Sequence, residues 1–173
     1  MRKFPAVLTL CLLPALPLFA GEGHDDHDDH AHEAHGEDHK DDIHLSEKDG
    51  VRLLHPWGVM SRDGLEVYVT IENGSGSTIT ITGGDSAHGD LMLLATDPGT
   101  DTVVPVSEMP VSAGAEMEFA PGELFLRLDT PPDLHVGDVI EAHLELAPMG
   151  EIEMDIEIFA PGTTDHPHAG HND

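Results

Sequence analysis

Two stretches near the C-terminal end of the chain constrain the fold more than any others. Ile140-Glu-Ala-His-Leu-Glu-Leu146 and Ile152-Glu-Met-Asp-Ile-Glu-Ile158 alternate apolar and polar positions, with carboxylates at nearly every polar one. Successive side chains of a strand point to opposite faces. A period of two therefore sets one apolar face against a core and a row of carboxylates in water. Pro148-Met-Gly150 separates the two runs and reads as a turn.

The same signal recurs through the middle of the chain. Val67-Tyr-Val-Thr-Ile71 and Thr78-Ile-Thr-Ile-Thr82 are rich in β-branched residues. Ala115, Met117 and Phe119 fall on one face, as do Leu124, Leu126 and Leu128. Turn chemistry divides these runs at Asn73-Gly-Ser-Gly76, Asp97-Pro-Gly99, Pro121-Gly122, Pro131-Pro132 and Gly137-Asp138. No helical period of useful length appears. Seven or more short strands over residues 46–160 predict an all-β domain. The expected form is an antiparallel β-sandwich or barrel of immunoglobulin-like or cupredoxin-like type.

The flanks of this domain differ from it in composition. Residues 1–20 open with Arg2 and Lys3 and continue without charge from Ala6 to Ala20. This run is short and Pro-containing, and it reads as a secretory signal peptide rather than a membrane span. The only cysteine, Cys11, lies within it. Leu10 stands where a lipoprotein signal needs a small residue, so the expectation is cleavage after Ala20, a periplasmic protein and no membrane insertion. The mature chain would hold no cysteine, so its fold would need no disulfide and its metal ligands would include no thiolate. Residues 21–45 and 161–173 are His-, Asp- and Glu-rich tails that bury too little to offset chain entropy, and disorder is expected there.

The tails carry most of the histidine. His24, His27, His30, His32, His35, His39 and His44 precede the domain, and His166, His168 and His171 follow it, out of 14 in all. Imidazoles every two to five residues, with carboxylates between them, form a flexible ligand set for copper or zinc. Acidic residues number 34 against 7 Lys plus Arg, a net charge of −27 that excludes nucleic acid as a partner. No Gly-rich phosphate loop, Ser elbow, HExxH or thiol nucleophile is present, so the expectation is a protein that is not an enzyme. His143, between Glu141 and Glu145, and His135 read as exposed side chains. Met117 and Met154 read as core, and Met149 as a turn residue.

Several segments then fall into a familiar order. Leu54-His-Pro-Trp57, Val67-Tyr-Val-Thr-Ile-Glu-Asn73, Val111-x-Ala-Gly114, Phe119-Ala-Pro-Gly122 and Val136-Gly-Asp138 resemble the periplasmic copper chaperones called PCu(A)C over roughly residues 50–160. The resemblance implies a cupredoxin-like barrel that binds Cu(I) and passes copper toward cytochrome oxidase, with an oxidase assembly factor as the receiving partner. It also implies a ligand set of His or Met, ten residues, Met, twenty-one residues, His-x-Met. Those positions here hold Met92, Val103, Phe125 and Arg127, so only Met92 keeps a ligand. His88 is the nearest substitute, and His55, Met60 and Met109 read as structural. The expected metal residues are thus the tail histidines, with His88 and Met92 second. The expected cargo is copper, as Cu(I) or Cu(II), with zinc as the competing ion. Two other readings stand beside the copper chaperone: a zinc or copper buffer carried on an inert barrel, and an interaction module that meets a partner through an exposed Phe125 face.

Overall fold

The computed structural model describes residues 45–166. The expectations for the signal peptide, for His24 through His44 and for His168 and His171 lie outside the described residues. Eleven strands follow in order: β1 Leu45–Lys48, β2 Val51–Met60, β3 Leu65–Asn73, β4 Ile79–Ser86, β5 Gly89–Asp97, β6 Thr102–Pro105, β7 Met109–Val111, β8 Glu116–Glu118, β9 Leu124–Leu128, β10 Val139–Ala147 and β11 Gly150–Phe159. No helix occurs among the described residues. The all-β class read from the alternation is the observed one.

Seven strands close into a ring. Hydrogen bonds run β2-β11-β10-β4-β5-β9-β3, and β3 returns to β2. Closure leaves the ring itself with no free edge, which removes the usual template for strand-to-strand aggregation. β1, β6, β7 and β8 hang from β2, β5, β4 and β3 respectively. Every pairing is antiparallel except β11 with β2, where Glu157, Ile158 and Phe159 run parallel to Trp57, Gly58 and Val59. Alternation alone carries no sign of that one parallel joint.

The interior is aliphatic. Val67, Val69 and Ile71 from β3, Leu126 from β9, Leu144 from β10 and Ile156 from β11 meet there, fully buried. Met154 lies in this core as expected, and Met117 and Met149 pack against it from partly buried positions. β10 and β11 pair in register from Val139 with Glu157 to Leu146 with Gly150, so their carboxylates share the outer face.

A second apolar cluster lies on the outside of the ring. Trp57, Val59, Tyr68, Leu94 and Phe125 are buried together, with Phe159 packed against them. Phe125 is only 3% exposed, so the open Phe125 face expected of an interaction module is absent. This second layer also explains why β2 and β5 were missed in the alternation. β2 is covered on both faces from Pro56 to Val59 and β5 at Leu93 and Leu94, and a strand buried on both faces loses the polar half of the pattern.

One buried polar residue ties the lower end. Asn73 Nδ2 donates to the carbonyls of Ser77 and Val111, both at 2.8 Å. Its Oδ1 accepts from the Ser75 amide at 3.1 Å and the Ser75 hydroxyl at 2.7 Å. Each such bond contributes about 1 kcal/mol net, and losing its partner strands a buried carbonyl. Asn73→Ala is expected to lower unfolding stability by roughly 2–4 kcal/mol. Urea titration checks this; a loss below about 0.5 kcal/mol, the usual surface range, would contradict the role.

Candidate metal centre

Three groups of possible ligands can be located among the described residues. The first lies where the resemblance puts its copper ligands. Met92 on β5 and Arg127 on β9 are cross-strand partners, and Leu94 faces Phe125 two pairs along, on the same face. Met92 is 39% exposed. The Arg127 guanidinium is occupied, its Nε donating to Asp129 Oδ1 at 2.7 Å. A cation held by Met92 at ~4 Å from that guanidinium would meet repulsion of roughly 1–4 kcal/mol, between bulk water and a partly screened site. Val103 pairs with Thr96, four residues along β5 from Met92. At about 3.4 Å per residue that is roughly 13 Å, so a ligand at 103 would be far from one at 92. His88 occupies the exposed turn joining Ser86 to Gly89. It belongs to no group of three metal-capable side chains among the described residues.

The second group stands on the outer face of β10 and β11. Ligand atoms of Glu141, His143 and Glu153 lie within 4.8 Å of one another. His143 is opposite Glu153 on one side and opposite Asp85 on the other, with its Nδ1 3.2 Å from Asp85 Oδ1. Sequence spacing links His143 only to Glu141 and Glu145. The other two carboxylates arrive through strand pairing, which is not visible in local sequence. The face is solvated and strongly acidic, and like-charged neighbours such as Glu145 and Glu151 stand directly opposite each other.

The third group forms around an irregularity in β2. Leu54 pairs with Thr70 and Trp57 with Tyr68, so β2 has one residue more than β3 across this interval. That extra residue makes a β-bulge, a device that bends a strand and re-aims a side chain. His55 sits in it with φ +49°, a region a non-glycine residue occupies at a cost of about 1–3 kcal/mol. Its ring comes to rest beside His166, with centroids 5.0 Å apart and planes tilted by 40°. His166 is 8% exposed, and Phe159 meets its ring edge-on at 5.4 Å. Both histidines line a cavity of about 110 Å³ together with Trp57, Thr70, Glu118, Phe119, Pro121 and Asp165. His166, a tail residue by sequence, is thus a wall of the barrel's cavity, and His55, read as structural, faces it.

Beside this cavity the outer aromatic cluster is closed by Tyr68. Its ring stacks at 4.5 Å on Trp57, and its hydroxyl donates to Glu66 Oε2 at 2.7 Å. Burial, then the hydrogen bond and the charge of Glu66, push the phenol well above its ordinary value. A raised folded-state value means that the contribution is whole below the unfolded value of about 10 and is lost as pH climbs beyond it. Thermal unfolding of the wild type should therefore fall more steeply than that of Tyr68→Phe above about pH 10. Parallel curves from pH 9 to 11.5 would contradict the assignment.

No protein-family model matches the chain, and no curated protein does. Solved structures do. The apo PCuAC domain of PmoF2 superposes with a TM-score of 0.59 at 18% identity, covering 70% of this chain and 98% of that one. The copper-bound PCuAC domain from PmoF2 gives a TM-score of 0.59 at 18% identity, over 69% and 100% of the two chains. The apo PCuAC domain from PmoF1 gives 0.58 at 22% identity, over 68% and 100%. The barrel therefore has the fold of a PCuAC domain, as the order of its sequence segments implied.

Proposed function

We propose that this protein is a secreted, periplasmic copper-handling protein that gathers metal mainly through its histidine-rich tails and is not an enzyme. The observation that carries this reading is a mismatch. The barrel has the same fold as a domain solved with copper bound, yet the positions expected to hold a thioether and imidazole site carry Phe125 and Arg127. Phe125 is committed to packing and Arg127 to Asp129. Ten histidines meanwhile lie in the two flanking segments. Neutral imidazole with carboxylate is a borderline-to-hard ligand set, which favours Cu(II) and then Zn(II) over Cu(I). The cargo is thus divalent copper, held by several interchangeable ligand sets and released readily to a stronger acceptor.

The test is a competition titration of the intact mature chain with Cu(II). Several ions should bind per chain. Changing His24, His27, His30, His32, His35, His39, His44, His168 and His171 to Asn should remove most of that capacity. Affinity of the intact chain should collapse between about pH 7 and pH 5, because imidazole binds metal only when neutral and its ordinary pKa is about 6.5. Capacity that survives the nine substitutions, or holds steady down to pH 4.5, would contradict tail binding. Zn(II) in a parallel titration separates the two metals: equal retention of zinc against a copper competitor would favour a zinc buffer.

A further inference from the structure

We propose that the cavity between the β2 bulge and the C-terminal segment is itself a metal site, with His55 and His166 as its two imidazole ligands. This deepens the copper-handling reading and rests on it, by giving the barrel one defined site apart from the tails. Four observations carry it. The two rings lie side by side, 5.0 Å between centroids and tilted by 40°, close enough to offer one nitrogen each to a shared ion. They meet although 110 residues separate them in the chain, so their juxtaposition is made by the fold. His55 reaches this position from a bulge and a left-handed backbone conformation, features that concentrate where a side chain is aimed for a purpose. The cavity of about 110 Å³ also presents Glu118 and Asp165, and its volume holds an ion with a water, whose own share is about 30 Å³.

The chemistry of the set selects the ion. Two imidazoles match the borderline divalent metals, and affinity order puts Cu(II) first. Glu118 and Asp165 line the same cavity without forming with the two histidines a set of ligand atoms within 4.8 Å of one another, so water would complete the coordination. Binding would also join β2 to the segment that follows β11, so the metal acts as a clasp on the C-terminal segment.

The experiment uses the full mature chain carrying the nine tail substitutions above, which spare His55 and His166, with Cu(II) as the probe. One equivalent should remain, with nitrogen hyperfine structure in its electron paramagnetic resonance spectrum. It should be lost in His166→Asn and in His55→Asn, and kept in His135→Asn, whose side chain is exposed and does not line the cavity. His55→Asn alters a strained bulge, so near-ultraviolet circular dichroism and urea unfolding accompany it. His166→Asn lies beyond the last strand and leaves the strained bulge unaltered, and the same two measurements report any loss of its packing on Phe159. Absence of the residual equivalent while the intact chain still binds several ions would overturn this site and leave the functional reading standing. A residual equivalent that persists in His166→Asn would overturn it too. An intact chain that binds no Cu(II) would overturn both.

Discussion

The bulge in β2 is the point on which the barrel turns. On one side β2 pairs with β3 along its whole length, interrupted only between Leu54 and Trp57. On the other side it pairs with β1 from Val51 to Leu54 and with β11 from Trp57 to Val59. The partner changes at His55 and Pro56. Proline has no N–H to give to a ladder, so placing it between two partners spares the sheet a lost hydrogen bond. The extra residue lets β2 bend away from β1 and meet β11, and that parallel joint closes the ring. The same residue carries the His55 ring to the cavity that His166 completes. Closure and the placement of a potential ligand are thus one event in the backbone.

The two apolar layers fill the place where the resemblance would put a histidine ligand. Leu94 and Phe125 face each other across β5 and β9 and belong to the outer aromatic layer with Trp57, Val59 and Tyr68. A phenylalanine there is worth about 3–5 kcal/mol against truncation, and an imidazole in its place would bring an unmet polar group. Arg127, two residues on, pairs with Asp129 and stands opposite Glu66, which is held by Tyr68. The outer face of β9 has become a packing surface edged by charges. The imidazoles of this protein lie instead at its margins: ten in the flanking segments, one of them folded back against the barrel.

Period-two alternation located β9, β10 and β11 and much of β3 and β4, because each has a polar face to reveal the pattern. It failed for β2, which carries Pro56 and Gly58, and for β5, whose outer face puts an apolar Leu94 under Tyr68 and Phe125 and an apolar Met92 in solvent. The Asn73 turn was legible from its glycines, but its role as a buried hydrogen-bond hub depends on Val111, 38 residues away. For the site, residue types were legible and neighbours were not. The Glu153 and Asp85 carboxylates beside His143 come there through register, and His55 meets His166 through barrel closure. Leu54-His-Pro-Trp57 and Phe119-Ala-Pro-Gly122 are separate marks of a resemblance in the sequence, and in the structure residues of both, His55 and Trp57 with Phe119 and Pro121, line one cavity.

The central claim is that this barrel has exchanged a thioether site for imidazole and carboxylate ligands. X-ray absorption at the copper edge of a copper-loaded chain of residues 21–173 tests it directly, since no cysteine follows Cys11 and any sulfur in the first shell must come from methionine. The account predicts nitrogen and oxygen neighbours only, at about 2.0 Å, with the outer-shell scattering of imidazole rings. A sulfur shell at about 2.3 Å, lost on Met92→Ala, would show that the thioether site persists and would contradict it.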